Sequence, residues 1–233
     1  MVKSIMIIYG KQTCLYALTK HSSKIETIYL NKFSILPKDI LKQYGSKIKT
    51  IENKWAQKMA KNGNHQGILI DMKEPEAASI DSVKNCDYIL VLDGLTDVGN
   101  IGAIIRSAYA LGVDAVVATG VKQLNIPAIV RTSSGAALDM MPIIQNNILD
   151  LFNELSQIGF KIYGADLDGK PLQDAQFSQR RVLVLGSEDR GISKRAKAKL
   201  DEVYKIEMSR DFDSLNVNAA AAIFLHRMSY AIK

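Results

Sequence analysis

The chain is poor in the residues from which metal sites and disulfides are built. Its 233 residues include two cysteines, Cys14 and Cys86, and three histidines, and none of them has the spacing of a metal-ligand motif. Two cysteines in distant parts of a chain are more often reduced and buried than bonded to each other. We therefore predict two free thiols and no metal site.

Long apolar runs are also absent. No run of about 18 apolar residues, the length of a membrane-spanning helix, occurs in the sequence. The start MVKSIMIIYG lacks a long apolar core and a cleavage site of small residues, so it predicts an opening strand rather than a signal peptide. With 47 % hydrophobic residues, the chain can form one large domain or two small ones. We expect a cytoplasmic protein without a membrane segment.

Common phosphate-binding motifs are missing as well. There is no G-x-x-x-x-G-K-[ST] loop, and the glycines of residues 93–102 do not follow the G-x-G-x-x-G spacing. These absences argue against P-loop nucleotide hydrolysis and against a methyltransferase of the glycine-rich Rossmann type. Nor does the sequence suggest a nucleophile triad or a cluster of metal ligands, so hydrolysis has little support.

Positive charge is concentrated at the start of the chain. Residues 1–70 contain 12 lysines, three acidic residues and no arginine, a formal charge of +9 against +6 for the whole chain. One interpretation is a module that binds a polyanion such as RNA. The other is a lysine-rich surface that keeps the protein soluble. Charge alone does not separate the two.

Hydrophobic patterns predict a small α/β domain over residues 1–71. Strands predicted near 4–9, 25–30, 48–51 and 67–71 alternate with helices predicted near 10–21, 37–44 and 53–61. The loop at 62–67 is either a turn that requires glycine or an RNA-facing loop in which His65 and Gln66 are polar contacts. Residues 72–87 contain a proline, acidic residues and small polar residues, which is typical of a linker.

Residues 88–233 predict a second α/β domain. Apolar strands are predicted at 88–92, 114–119, 141–144, 160–165 and 182–185, and a short strand ends at 206–208. One predicted helix carries Arg106 and ends at Gly112, another covers 148–158, and an Ala-rich helix follows Ser214; residues 123–134 are predicted as loop and 135–141 as a short helix. Strands that are apolar throughout belong in a parallel sheet covered on both faces.

Polar residues near the predicted strand ends are candidates for chemistry, because α/β proteins bind ligands there. They are Asn100, Arg106, Glu188, Ser214 and Asn216. Asn100 and Ser214 have the alternative role of capping the helices that begin beside them. Arg106 has apolar neighbours, which favours a buried guanidinium with an anionic partner, either Glu188 or a phosphate.

Four short segments together resemble a known family. They are N-I-G-A-I-I-R-S-A (100–108), L-G-S-E (185–188), I-E-M (206–208) and S-L-N-V (214–217). In this order they are similar to the three motifs of the SpoU branch of the SPOUT superfamily, which comprises S-adenosylmethionine-dependent RNA 2′-O-ribose methyltransferases. The first segment, from I-Y-G-K (8–11) to H-Q-G-I (65–68), resembles the ribosomal-protein-like substrate-binding domain of 23S rRNA guanosine 2′-O-methyltransferases.

The resemblance implies a deep trefoil knot at the C-terminal end and a homodimer in which the knot loops hold S-adenosylmethionine. The cofactor-binding residues that it implies are Gly186, Ile206 and Leu215, with Thr119, Gly120 and Met208 close by. The catalytic and substrate-side residues that it implies are Asn100, Arg106, Glu188, Ser214 and Asn216. Because arginine stays protonated, Arg106 is expected to fix an RNA phosphate and stabilise developing alkoxide charge rather than to act as a literal base.

Three residues depart from the family pattern. Glu207 stands where proline is usual, Asp189 where glycine is usual, and Asn218 where a small residue is usual. The two acidic residues add negative charge near a cationic cofactor and an anionic RNA, which affects the expected affinity but not the assignment.

The expected activity is therefore 2′-O-methylation of a ribose in RNA. A guanosine of 23S rRNA, free or in an assembling large ribosomal subunit, is the expected target, with residues 1–71 binding the RNA. The alternatives are a tRNA 2′-O-methyltransferase and a non-catalytic RNA-binding ribosome-assembly factor.

Overall fold

The computed structural model describes residues 5–76 and 78–232. They form two compact units. The first unit runs to Glu76 and also takes in Asn125–Asp139, and the second contains the rest of the chain. The domain limits at residues 71, 72–87 and 88 stay a prediction.

The first unit is a four-stranded sheet covered by helices. Its elements are β1 (Ile5–Tyr9), α1 (Lys11–Lys20), β2 (Ile25–Leu30), α2 (Lys38–Gln43), β3 (Ile48–Thr50), α3 (Asn53–Met59) and β4 (Ile68–Lys73). The strand order is β1-β4-β2-β3, with β4 antiparallel to both neighbours and β2 parallel to β3. Every element predicted in residues 1–71 is present, with ends within two residues of the prediction, although Ser4 lies outside the described residues.

The core of the first unit explains why β4 is central. Ile68, Leu69 and Ile70 are all buried, so side chains on both faces of this strand are covered. On one face, Ala56 and Ala60 pack on Leu69 and anchor α3 to the sheet. The central strand is therefore recognisable as a continuous apolar run rather than an alternating one.

The loop before β4 is a structural turn. His65 is buried, and its Nδ1 accepts a hydrogen bond of 2.9 Å from the Gly67 backbone N–H. Gly67 has φ 81°, and a Cβ there would lie 2.4 Å from Oδ1 of Asn31, so glycine is required. The interpretation of His65 as an RNA contact is wrong, because its side chain is enclosed. Gln66 is exposed, and its Oε1 accepts from the Lys11 backbone N–H at 2.7 Å.

The second unit is a six-stranded parallel sheet. In chain order the remaining elements are β5 (Tyr88–Asp93), α4 (Val98–Ala110), β6 (Ala115–Thr119), α5 (Ile126–Thr132, in the first unit), β7 (Ile143–Gln145), α6 (Ile148–Gln157), β8 (Lys161–Pro171), β9 (Arg181–Gly186), α7 (Lys194–Lys197), β10 (Glu202–Lys205) and α8 (Val217–Tyr230). The strand order is β10-β8-β9-β5-β6-β7, and all five pairings are parallel. The prediction of a parallel sheet is confirmed.

Both faces of this sheet are covered, as the apolar strands predict. One face packs on Leu151, Phe152 and Leu155 of α6 and on Ala196 of α7. The helices α4 and α8 contact each other, and α8 also contacts β9. Among the described residues, no helix is long and apolar enough to cross a membrane, and no cluster of His, Cys, Asp and Glu has the arrangement of a metal site.

The segment after residue 122 differs from the prediction. Residues 123–134 are predicted as loop, but α5 occupies Ile126–Thr132. Asn125 caps this helix by accepting from the Ala128 N–H at 3.3 Å, and Pro127 stands in its first turn. Arg131 lies 5.3 Å above the Tyr9 ring and thereby ties α5 to β1. The helix is short and is stabilised by contacts with a distant part of the chain, which no local pattern reveals.

The long strand β8 contains an excursion. Its pairing with β10 jumps from Val203–Gly164 to Tyr204–Lys170, so residues 165–169 leave the ladder. The loop predicted around Asp166, Asp168 and Gly169 is therefore present as an interruption within a longer strand. The knot that the resemblance implies stays a prediction.

Candidate active site

A cavity of about 560 Å³ lies in the second unit, beside the excursion in β8, at the carboxyl ends of β9 and β10 and at the start of α8. In a parallel sheet, these ends are where ligands bind. Seven of the residues predicted from the motifs line the cavity: Gly186, Glu188, Ile206, Met208, Ser214, Leu215 and Asn216. Residues separated by up to 30 positions in sequence are thus brought to one site.

The Gly186 backbone is in close contact with the loop that follows it. A Cβ at Gly186 would lie 1.9 Å from the carbonyl carbon of Gly191, so only hydrogen fits there. The Gly191 N–H donates to the Ser187 carbonyl at 2.8 Å and folds residues 187–191 back against the end of β9. This close approach places the backbone of 186–191 along the cavity wall.

A network of amides holds the Glu188 carboxylate. Its Oε1 accepts hydrogen bonds from Nδ2 of Asn100 at 3.1 Å and from Nδ2 of Asn216 at 2.7 Å. Nδ2 of Asn218 donates to Oδ1 of Asn100 at 3.2 Å, which orients the Asn100 amide with its donor towards Glu188. Two helices and the loop after β9 therefore fix one carboxylate at the cavity.

Neither Asn100 nor Ser214 caps the helix that begins beside it. Asp97 caps α4 by accepting from the Asn100 N–H at 2.7 Å, so Asn100 lies inside the first turn and its side chain is available to Glu188. Asn216 caps α8, and Ser214 does not. The Asn216 side chain does two things: its Oδ1 accepts from the Asn218 N–H at 3.0 Å while its Nδ2 donates to Glu188.

Arg106 is exposed, so the expectation of a buried guanidinium is wrong. The inward face of α4 consists of Ile101, Ile104, Ile105 and Ala108, whereas Arg106 lies on the outer face. Ile105 is buried and Arg106 is exposed because a helix places adjacent residues about 100° apart. Arg106 is not among the residues that line the cavity.

Thr119 and Gly120 also lie outside the cavity lining. Thr119 is fully buried, and its hydroxyl donates to Oδ1 of Asp93 at 3.1 Å. Oδ2 of the same carboxylate accepts from the Ser193 N–H at 2.9 Å. Asp93 therefore links the ends of β5 and β6 to the start of α7, which supports the strand ends that carry the site.

Some lining residues are not among the predicted site residues. Phe224, Ala220 and Val217 from α8 and Leu185 from β9 form apolar wall, and Leu167 comes from the excursion in β8. A helical apolar pattern marks the α8 residues as core, but it does not distinguish a core contact from a ligand contact.

The charges around the cavity have both signs. Asp166 lines it and forms an ion pair of 3.0 Å with Lys197, and hydrogen bonding to Asp166 is the main cause of a raised pKa of Lys197. Asp189 lines the cavity and is exposed. Glu207 does not line it, and its Oε2 accepts from Gln173 at 2.9 Å. Of the two acidic departures from the family pattern, only Asp189 therefore lies at the site.

Comparison with known proteins agrees with the motifs. Residues 87–226 match the SpoU rRNA Methylase family, and residues 7–78 match a domain described as RNA 2′-O ribose methyltransferase substrate binding. An uncharacterized tRNA/rRNA methyltransferase from Borreliella burgdorferi is 28% identical over 80% of this chain and 88% of its own length. The 23S rRNA (guanosine-2′-O-)-methyltransferase RlmB of Coxiella burnetii is 32% identical over 72% of this chain and 70% of its own.

Solved structures share the fold. The SpoU methyltransferase AviRb from Streptomyces viridochromogenes, solved with AdoMet, superimposes with a TM-score of 0.76 at 22% identity, over 97% of this chain and 89% of that one. The family matches together cover most of the sequence and carry the motifs that line the cavity. The chain belongs to the SpoU rRNA methylase family and is an RNA methyltransferase.

Proposed function

We propose that the protein transfers a methyl group from S-adenosylmethionine to a ribose 2′-hydroxyl of 23S rRNA, at a guanosine. The observation that carries the proposal is the Glu188 carboxylate, held by Asn100 and Asn216 at a cavity of about 560 Å³. The activity named for the Coxiella burnetii relative supports the choice of nucleotide and RNA.

The cavity fits S-adenosylmethionine in size and lining. Its volume lies within the range of about 300–1,000 Å³ typical of small-molecule sites. Ile206, Met208 and Leu215 offer apolar walls suited to an adenine ring, and Gly186 brings backbone groups to the wall. Asp189, exposed in the lining, offers a carboxylate suited to a cationic ligand. When bound, S-adenosylmethionine supplies an electrophilic methyl group on a sulfonium.

The remaining residues act on the RNA. Attack by the 2′-hydroxyl requires alignment with the methyl group and loss of the hydroxyl proton. We assign Arg106 to an RNA phosphate and to the developing alkoxide charge, for which its exposure makes it accessible. Glu188, Asn100, Ser214 and Asn216 position the ribose. Thr119 and Gly120 are assigned to the edge of the cofactor site, next to the strand end that Asp93 supports.

The choice of rRNA over tRNA rests on the first unit. Its lysine-rich sequence and its match to a substrate-binding domain support a separate RNA-binding module. A homodimer in the cytoplasm with a knotted C-terminal end completes the proposal. A tRNA 2′-O-methyltransferase and a non-catalytic assembly factor are the competing candidates.

Methyl transfer to purified RNAs tests the function. We expect methylation of 23S rRNA but not of tRNA, and primer extension at low nucleotide concentration should stop at one guanosine. Calorimetry should detect S-adenosylmethionine binding, and its absence would favour the assembly factor. Methylation of tRNA alone would contradict the rRNA assignment.

A substitution tests the role of Arg106. We expect Arg106→Ala to lose at least about 100-fold in methyl-transfer rate, the scale for one lost transition-state donor. Arg195, exposed on α7 and outside the cavity lining, gives the control Arg195→Ala, which should retain the rate. An Arg106→Ala protein as active as the Arg195→Ala control would remove the role assigned to Arg106.

A further inference from the structure

An aromatic ring flanked by lysines stands on the outer face of α3. Trp55 is the single tryptophan of the chain, and 56% of its surface is exposed. The Lys58 ammonium lies 5.5 Å from the centre of its ring. Lys54 directly precedes Trp55 in the chain, Lys61 follows the end of the helix by two residues, and both are exposed. We call these four residues the α3 stripe.

The fold of the first unit does not account for Trp55. Ala56, Ala60 and Met59 anchor α3 on Leu69, whereas Trp55 is absent from this cluster. Tryptophan is on average one of the more buried residues, because its apolar area is large. A ring that is more than half exposed, on a helix already anchored by its other face, points to contact with something outside the unit.

The positive charge around the ring indicates which kind of ligand would bind there. Among residues 5–76 and 78–232, Lys54, Lys58 and Lys61 form no ion pair with a carboxylate, and all three are exposed, so their ammonium groups are open to an anionic ligand. Ammonium groups beside an exposed aromatic face suit a strand of phosphates with bases between them. An acidic peptide would satisfy the lysines but would leave the flat indole face without a stacking partner.

The accessible base must be unpaired. Bases within an RNA helix are stacked on each other, and their faces are closed to a side chain on a protein surface. Loops, bulges and single strands present free base faces, which aromatic side chains bind by stacking.

We propose that the α3 stripe is a binding site for an unpaired nucleotide of the RNA substrate. The Trp55 ring stacks on the base, and Lys54, Lys58 and Lys61 contact the phosphates on either side. The inference rests on the proposed RNA substrate and specifies which structural feature of that RNA the first unit recognises.

Because Trp55 is the single tryptophan, its fluorescence reports this site directly. The intact protein is titrated with a single-stranded uridine decamer and, separately, with inorganic polyphosphate, which has charge but no bases. We expect saturable quenching by the decamer and little quenching by polyphosphate. Equal quenching by both would overturn the stacking contact.

Variants separate stacking from charge. The variants are compared by calorimetry, because a chain without Trp55 has no tryptophan to report binding. Trp55→Ala should weaken decamer binding roughly 5- to 150-fold, the range for one lost stacked base. Trp55→Phe should retain most of the affinity. Lys58→Gln should lower the slope of log affinity against log salt by about 0.7, the value for one phosphate contact to a single strand. Phe33 is a matched control: it is 53% exposed, and within the described part of the chain no cation lies over its ring. Unchanged decamer affinity in Trp55→Ala, or an equal loss in Phe33→Ala, would refute the site.

Methylation assays distinguish a failure of this binding site from a failure of the proposed function. If the wild type methylates 23S rRNA and Trp55→Ala does so with the same KM, the site is wrong and the function stands. If no RNA is methylated but the decamer quenches Trp55 in the expected way, the function is wrong and the site stands. Circular dichroism of each variant checks that the fold is retained.

Discussion

Removal of the Asn218 side chain tests whether the amide network positions Glu188. Asn218 is half-buried, and its Nδ2 makes one hydrogen bond, of 3.2 Å, to Oδ1 of Asn100. A neutral hydrogen bond contributes about 1 kcal/mol, so its loss corresponds to about a five-fold change. Without it, the Asn100 amide can rotate and present its carbonyl oxygen to the carboxylate, which is repulsive. We expect Asn218→Ala and Asn218→Ser to slow methyl transfer about five-fold.

The assay is single-turnover methyl transfer at saturating S-adenosylmethionine and RNA. A double-mutant cycle with Asn100→Ala identifies the route of the effect. If Asn218 acts through Asn100, then Asn218→Ala should cost nothing further in the Asn100→Ala background. The backbone N–H of residue 218 still reaches the Asn216 cap in either variant, so α8 keeps its cap. The melting temperature should therefore fall by no more than about 2–4 °C, the scale for 1 kcal/mol in a chain of this size. Asn153, exposed on α6, provides the control Asn153→Ala.

Two results would refute the network. Equal losses from Asn218→Ala in both backgrounds would show that Asn218 does not act through Asn100. If Asn100→Ala and Asn218→Ala each transfer methyl groups at the wild-type rate, the two amides do not position Glu188.

Two further predictions concern packing and titration. Gly186→Ala should lower the free energy of unfolding by at least about 1–3 kcal/mol and weaken cofactor binding, because the added Cβ would lie 1.9 Å from the backbone of Gly191. The control Gly45→Ala, whose Cβ has no atom within 4 Å, should leave thermal unfolding nearly unchanged. Similar melting temperatures for the two variants would contradict this prediction. Burial raises the pKa of the Cys14 thiol far above that of a free thiol, because a buried thiolate is desolvated. The folded protein therefore keeps a proton that the unfolded chain loses above about pH 9, and the free energy of unfolding should fall as pH rises above that value. In native protein, a thiol reagent should react with half-buried Cys86 before Cys14, and equal rates would show that Cys14 is accessible.

Much of the fold could be predicted from local patterns. Apolar runs such as residues 88–92 and 182–185 are long enough to mark strands covered on both faces, and both form central strands of the parallel sheet. The helix at 126–132 was missed because it is short and is stabilised by contacts such as Arg131 over Tyr9, which lie far apart in sequence.

The motifs predict which residues line the site but not how their side chains are connected. The motifs identified seven residues that line the cavity. They could not identify the caps, because Asp97 and Asn100 are both capping residue types and only the first helical residue distinguishes them. They also could not identify the partner of Asn100, since Asn218 stands 118 residues further along the chain.

By itself, the sequence determined most of the element types, the parallel sheet and the family, because periodicity and short motifs are local properties of the chain. Tertiary structure decided which side chains meet. The Glu188 network requires the starts of α4 and α8 and the loop after β9 to converge, and the exposure of Arg106 and Trp55 depends on which helix face packs on a sheet. Packing between distant segments decides which elements meet at the site and which face of each helix is buried, and no local stretch of sequence encodes either.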